Sequence, residues 1–365
     1  MKLRNLYLML TFALVLVLAA CGNSDGGEDS DSSEESTAGA EESAEEGSEE
    51  TVSFENTFEV SPGDGEDRGA EGEEVTETIE VPKNPEKVAI FDLGVVSTFQ
   101  ALGVEENIAG LPKGEGNGSL SDALSEFESD EYANLGGLKD PDFEEIARIQ
   151  PDVIMIHGRQ ATENNLAEFE RVAPDADVLF VAADNESYFD DIKEMTNLIG
   201  ELYGEEEAAD TLVEDMDNRI EEVSSKVAEI EDNSMLFIQT NGESSVSFHG
   251  TGGRFGYLYD TFGFSSADEF DDASDSHGSQ VNYEFIANAD PALMFVMDRG
   301  AVASGGEATP VDTLINSTTE SATAVQNENI FSLDPQVWYL NAGGYETGMI
   351  QIDEVEEAVD SLSEQ

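Results

Sequence analysis

Along an otherwise strongly polar chain, apolar residues gather in short runs set between turn signals, the pattern of buried strands. The first run, Val88-Ala89-Ile90-Phe91, follows Pro85 and leads through Gly94 into a helix-like stretch ending at Leu102-Gly103. Further strands are predicted at Val153 to Ile156, Val178 to Val181, Met235 to Ile238 and Leu293 to Met297, separated by helical or loop-like segments. From Glu205 to Glu231, charged and apolar residues recur at helical spacing without a Gly or Pro, which predicts one long helix between two halves. Strands alternating with helices predict an α/β fold with a parallel sheet in each half.

The two halves echo each other. Phe143-Glu144-Glu145-Ile146-Ala147 precedes Pro151 and the apolar run to Ile156, and Tyr283-Glu284-Phe285-Ile286-Ala287 precedes Pro291 and the run to Met297. The offset is 140 residues throughout. Each copy reads as a helix that stops at a proline and feeds a buried strand, the repeating unit of a parallel sheet. Past each strand the same offset places an arginine: Arg159 in His157-Gly158-Arg159 and Arg299 in Asp298-Arg299-Gly300. Ligands bind beyond the carboxyl ends of parallel strands, so both arginines are expected at a crevice.

Charge sharpens that expectation. The 365 residues carry 82 Asp and Glu against 15 Lys and Arg, a formal net charge of −67. A chain without a basic field has nothing with which to release phosphate counterions, which excludes nucleic-acid binding as its main role. Past Lys226 the only basic residues are Arg254 and Arg299, and Arg254 lies in the glycine-lined Gly252-Gly253-Arg254-Phe255-Gly256, where backbone approaches a ligand closely. A cleft holding Arg159, Arg254 and Arg299, joined by Lys113 of Gly110-Leu111-Pro112-Lys113-Gly114, suits a polyanion. Each close charge pair there contributes on the order of 4 kcal/mol before desolvation is subtracted. The region of predicted strands and helices has no Gly-x-Ser-x-Gly elbow, His-Glu-x-x-His or Walker A loop, so the chain reads as a binder and not an enzyme.

The N-terminus reads as an export signal: Lys2 and Arg4, an apolar run from Leu6 to Leu18, then Ala19-Ala20-Cys21. A cysteine after small residues resembles the bacterial lipobox, in which the thiol is acylated; Cys21 is also the one cysteine, which precludes an intrachain disulfide. Two acyl chains suffice for stable anchoring. Between Cys21 and Glu80 lie 22 carboxylates and a single basic residue, Arg68, a composition expected to form a solvated tether. From Val81 onward 60 acids still face 12 basic residues, a surplus that looks like adaptation to high salt, where self-repulsion is screened.

These features together resemble the iron–siderophore solute-binding lipoproteins of ABC importers, closest to the branch that binds ferric catecholates including petrobactin. The resemblance is carried by the lipobox, Val81-Pro82-Lys83-Asn84-Pro85-Glu86-Lys87-Val88, the paired Glu-x-Ile-Ala-x-x-x-Pro units, Gly253-Arg254-Phe255-Gly256, Ser276-His277-Gly278 and Trp338-Tyr339-Leu340, and it spans about Val81 to Val359. It implies two Rossmann-like lobes joined by a rigid helix, with the ligand between them. It also implies that Arg159, Arg254 and Arg299 neutralise the chelate, that Trp338 walls the pocket, and that His277 and Tyr339 reach open iron coordination sites. Glu144 and Glu284, with Glu145 as a substitute, would dock onto arginines of the permease. His157 and His249 stand in no recognised pair and are read as structural.

The expected organisation is a signal peptide over 1–20, an acidic tether over 21–80, an N-terminal lobe over 81–203, a connecting helix over 204–232 and a C-terminal lobe over 233–365. The expected protein is a monomer, lipid-anchored on the extracellular face of a single-membrane bacterium. It holds no permanent cofactor and passes a ferric siderophore to ABC permease subunits. The competing readings are a binder of haem, cobalamin or a bare metal ion, and an acidic structural lipoprotein. Cobalamin has no need of three arginines, and a bare ion wants several His and carboxylate ligands.

Overall fold

The computed structural model describes residues 50–63, 72–114, 120–242, 245–268, 278–303 and 311–363. Cys21, His277 and the predicted signal peptide lie outside the described residues. All the described elements belong to one compact unit, Glu49–Gln365.

The first half contains β1 (Thr51–Val60), β2 (Glu73–Pro82), β3 (Val88–Ile90), α1 (Leu93–Leu102), β4 (Ile108–Leu111), β5 (Ala133–Asn134), α2 (Phe143–Ile149), β6 (Val153–Ile156), α3 (Glu163–Val172), β7 (Asp177–Phe180) and α4 (Tyr188–Tyr203). Five of these strands form a parallel sheet in the order β5-β4-β3-β6-β7. The order reverses beside β3, which opens a crevice beyond the carboxyl ends of β3 and β6. The long α5 (Glu206–Glu229) follows, at the place the sequence predicts a connecting helix.

The second half contains β8 (Ser234–Thr240), β9 (Val246–His249), α6 (Tyr257–Phe262), β10 (Ser265–Ser266), β11 (Ser279–Val281), α7 (Tyr283–Ala289), β12 (Leu293–Asp298), α8 (Arg299–Ala303), α9 (Thr323–Gln326), β13 (Ile330–Ser332) and α10 (Tyr345–Ser363). Its sheet runs β11-β9-β8-β12-β13, with β10 paired to β8. The centre, β8-β12-β13, is parallel as expected, whereas β9 runs antiparallel to β8 and β11 antiparallel to β9. The Asn241 N–H donates to the Ser245 carbonyl at 3.1 Å beside the antiparallel pairing of β8 and β9, so no helix crosses over between these two strands.

The 140-residue echo is carried through to backbone geometry. Helices α2 and α7 begin on Asp142 and Asn282, whose side chains accept from N–H groups of the first turn. They end on Gln150 (φ 50°) and Asp290 (φ 47°), both left-handed. A following proline disfavours the right-handed helical conformation in the residue before it, so the chain leaves each helix at Pro151 and Pro291. Ile146 and Ile286 plug the same point beneath the two sheets, each at 0% exposure.

The acidic stretch expected to be a tether as far as Glu80 contributes two strands to the fold, Thr51–Val60 and Glu73–Pro82. Strands β1 and β2 form an antiparallel hairpin, Thr51 opposite Pro82 and Val60 opposite Glu73. Composition averaged over 21–80 hides a strict alternation: Val52, Phe54, Asn56, Phe58 and Val60 face inward while Glu55 and Glu59 face water. The hairpin seals the edge of β7. Asn56 accepts from the Phe180 N–H at 2.8 Å and donates to the Val178 carbonyl at 3.1 Å, and Phe58 stacks on Phe180 with ring centroids 5.2 Å apart.

The halves are held together by α10, which packs against α1, α4 and α5. Glycine at two positions permits the closest approach: a Cβ on Gly344 would lie 1.7 Å from the Gly94 carbonyl oxygen, and one on Gly94 would lie 2.3 Å from that of Ala342. Across the same seam the Tyr345 N–H donates to Thr98 Oγ1 at 3.0 Å, and Tyr188 OH donates to Gln351 Oε1 at 2.9 Å. On the outer face Arg219 reaches Asp353 and Glu356, and Lys226 reaches Glu356 and Asp360, which clamps α5 to α10.

Candidate functional site

A cavity of about 280 Å³ opens between the halves at the carboxyl ends of the central strands. Asp92, two residues past β3, and His157, Gly158 and Arg159, just past β6, line it from the first half. Arg254, Phe255, Tyr257, Trp338 and Tyr339 line it from the second. Arg299, the residue after β12, completes the set by reaching Tyr339.

The three arginines singled out in the sequence converge on one residue. Arg159 and Arg254 donate to the main-chain carbonyl of Tyr339 at 3.4 and 2.9 Å, and Arg299 Nε donates to its phenol at 2.8 Å. The carbonyl is available because Gln336–Leu340 forms a single π-helical turn, closed by the Asn341 N–H on the Gln336 carbonyl, and the last carbonyls of so short a turn find no partner within it. The Arg254 guanidinium also lies over the Tyr339 ring, 4.4 Å from its centroid.

Among the described residues, none of Arg159, Arg254 and Arg299 forms an ion pair, whereas Arg148, Arg171, Lys193, Arg219 and Lys226 all do. Burial pushes the Arg159 and Arg254 guanidiniums below their ordinary range; for Arg159 the charge of Arg254 adds to that, and for Arg254 the charge of Arg299 does so. The carboxyl lining the cavity is that of Asp92, which caps α1 by accepting from the Gly94 and Val95 N–H groups at 2.9 and 3.2 Å. Burial raises Asp92 to about 7, against the lowering pull of those bonds and of Arg159. It therefore neutralises the cluster only in part at neutral pH. Burial, with the charges of Arg159 and Arg254, pushes His157 well below the ordinary histidine value and keeps it neutral.

Behind the cations stands an aromatic wall. Tyr188 and Tyr257 stack at 4.1 Å, Tyr257 and Trp338 at 6.4 Å, and Phe237 and Phe255 at 4.0 Å. Trp338 lines the cavity but is 0% exposed, and its indole N–H donates to Glu354.

Lys113 is not part of this site. It lies beyond β4, where its ammonium donates to the Ser129 carbonyl at 2.6 Å in a separate depression lined by Glu128, Asp130, Glu145 and Arg148. Strand β4 sits on the far side of β3 from the crevice, so the loop after it points away from the arginines. His277 lies outside the described residues, and His249 is buried in the core, stacked edge-on to Phe255. Glu144 and Glu284 are exposed on the first turns of α2 and α7, while Glu145 is held by Arg148. Asp92, Tyr188 and Tyr257 were not singled out in the sequence, and His157 was read as structural. Asp92 carried a readable signal, a capping residue directly after a strand; the tyrosines carried none, because only the packing of α4 against α6 brings them together.

Two sheets with a cationic cavity at their facing strand ends define a solute-binding protein, and the chain belongs to the Periplasmic binding protein family, whose model it matches over residues 88–337. The members of that family bind solutes for transport and are not enzymes. The chain is 33% identical over 280 residues to the petrobactin-binding protein YclQ of Bacillus subtilis, covering 77% of this chain and 84% of the relative. It is 26% identical over 278 residues to the ferric-anguibactin-binding protein FatB of Vibrio anguillarum, covering 75% and 83%. The crystal structure of YclQ superposes with a TM-score of 0.71 at 30% identity, covering 84% of this chain and 99% of that one. Among the described residues no helix is long and apolar enough to cross a membrane, and no group of three or more His, Cys, Asp or Glu could hold a metal ion.

Proposed function

We propose that this protein captures a ferric siderophore of the catecholate type in the arginine cleft and delivers it to the permease of an ABC importer, anchored outside the cell by lipid on Cys21. The observation that carries this reading is the set of three guanidiniums with no carboxylate partner, around one cavity, in a chain of net charge −67. The cavity's one lining carboxyl among the described residues, Asp92, is bound to the N–H groups that start α1 and forms no ion pair with the arginines, so the pocket keeps positive charge for an anion from outside. A ferric catecholate bears several negative charges spread over aromatic rings, which matches cations backed by an aromatic wall. Binding of petrobactin by YclQ and of ferric anguibactin by FatB supports the same ligand class. The iron is cargo, and no resident cofactor is part of the reading.

Glu144 and Glu284 are the proposed contacts to the permease: they are exposed, they occupy equivalent positions in the two halves, and Glu145 is already engaged by Arg148. The binding reading is tested by titrating the chain from Glu50 onward with ferric catecholate and ferric citrate, following the fluorescence of Trp338, the only tryptophan. Tight quenching by the catecholate, lost by 10²-fold or more in Arg254→Glu and Arg299→Glu variants that keep their melting temperature, is the expected result; each lost close charge pair is on the order of 4 kcal/mol before desolvation. Unchanged affinity in both variants would remove the cleft from the function.

A further inference from the structure

The π-helical turn Gln336–Leu340 is gripped from both halves, and three of its carbonyls have partners that can be followed one by one. That of Gln336 accepts from the Asn341 N–H at 2.8 Å, and that of Tyr339 takes Arg159 and Arg254. That of Val337 accepts from Nε2 of Gln351, a side chain of α10, at 3.4 Å. The same amide accepts through Oε1 from the Tyr188 hydroxyl of α4 at 2.9 Å, and the Tyr188 oxygen accepts from the Gly343 N–H at 2.9 Å. Gly343, Tyr188, Gln351 and Val337 thus form one directed chain of hydrogen bonds that joins the first half to the turn. Turning the amide over would set its oxygen against the Val337 carbonyl, so the chain runs one way only.

Packing alone does not call for a glutamine at this point. Gln351 is 1% exposed and stands in α10 among the buried Ile352, Val355, Ala358 and Val359. An apolar side chain of similar volume would be buried there without an amide to satisfy, and replacing bonded partners by apolar groups of the same shape is often close to neutral. What an apolar residue cannot supply is direction. Tyr188 is placed in the same way: its ring stacks on Tyr257 at 4.1 Å in the cavity wall, while its hydroxyl carries two bonds of the chain. Just past the turn, Asn341 accepts from the Ser121 N–H of the first half at 2.6 Å, a second buried link across the seam.

We propose that Gln351 is a positioning residue of the cleft: through its bonds to Tyr188 and Val337 it ties the cavity wall of the first half to the π-helical turn, so that the placement of the halves and the aim of Arg159 and Arg254 are set together. A shift of α4 against α10 acts on the Val337 carbonyl through the chain. The Tyr339 carbonyl, two residues on in the same short turn, moves with it, and the two guanidiniums lose their common acceptor. The arginines therefore converge only when the halves are in register. For ligand binding this rests on the proposed function; the coupling itself does not.

The test compares wild type, Tyr188→Phe, Gln351→Met and the double variant of the full chain. Tyr188→Phe keeps the ring stack and Gln351→Met keeps the volume, so each breaks the chain of bonds with little loss of packing. Gln351 does not line the cavity, so any effect it has on a ligand is indirect. Two quantities are measured: the indole N–H proton resonance of Trp338, the only tryptophan, in the free protein, and the calorimetric affinity for the iron(III) complex of 2,3-dihydroxybenzoate. Each single variant is expected to move the resonance and to weaken binding about tenfold, with the double variant no worse than either. A glutamine that only fills the core would change the melting temperature and leave affinity and resonance as they are, and single effects that add in the double variant would mean that the two residues act apart; either result overturns the coupling. If Gln351→Met does not melt cooperatively, Tyr188→Phe decides, and an unchanged affinity or an unmoved resonance overturns it. Failure of wild type to bind the ferric complex sinks the siderophore reading, and the indole resonances of the variants then decide the coupling alone.

Discussion

Asp92 shows how one side chain ties stability to charge in the cleft. Its carboxyl, raised to about 7 from 3.8, holds a proton in the folded chain that the unfolded chain has lost between those values. Stability drawn from this group therefore falls as pH rises from about 4 to about 7 and is level above. At ~1.4 kcal/mol per unit the window spans a few kcal/mol. Asp92→Asn keeps an oxygen to cap α1 and removes the titration. Urea denaturation at pH 5 and pH 8 should show the variant gaining on wild type at the higher pH, the other carboxylates cancelling in the comparison. The arginines were legible in the sequence because they were scarce and sat past predicted strands. Tyr188 and Tyr257 were not, since a tyrosine that stacks across 69 positions of chain looks like any other aromatic until the helices pack.

At the scale of elements the informative case is the β1–β2 hairpin. Average acidity argued for a tether, but period-two alternation wins locally, because a strand needs only one apolar face and leaves the other free for carboxylates. Its attachment to β7 through Asn56 and Phe58 is checkable. Phe58→Ala should cost about 3 kcal/mol, and Asn56→Ala about 1–3 kcal/mol because two backbone groups of β7 lose their partners, both read from denaturant midpoints. The seam between the halves is expected to be less forgiving. Gly344→Ala would place a methyl 1.7 Å from the Gly94 carbonyl, so the backbones must part; a loss of at least 1–3 kcal/mol in stability, together with weakened ligand binding, is the expected outcome. Stability lost with affinity unchanged would show that the seam does not set the cleft.

For the whole molecule the governing quantity is the charge of −67. Its field opposes the approach of an anionic ligand, while the cleft attracts it at short range. Raising ionic strength from about 0.1 to 1 M shortens the Debye length from ~10 to ~3 Å, which screens the distant carboxylates far more than the contacts inside a cavity. Association of a ferric catecholate, followed by stopped-flow quenching of Trp338, should therefore accelerate with added salt, and the urea midpoint should rise over the same range. A rate that falls steeply with salt would mean that long-range attraction, not the cleft, brings the ligand in.

The sequence by itself determined the elements repeated in the two halves and the placement of arginines past their strands, because period, proline position and scarcity of positive charge are local properties that survive without coordinates. Only the tertiary structure decided that Lys113 stands apart, that the acidic hairpin belongs to the fold, and that three guanidiniums meet at Tyr339. Each of those depends on which strand lies beside which, and strand order is set by the packing of helices across the sheet, a global property that no window of sequence contains.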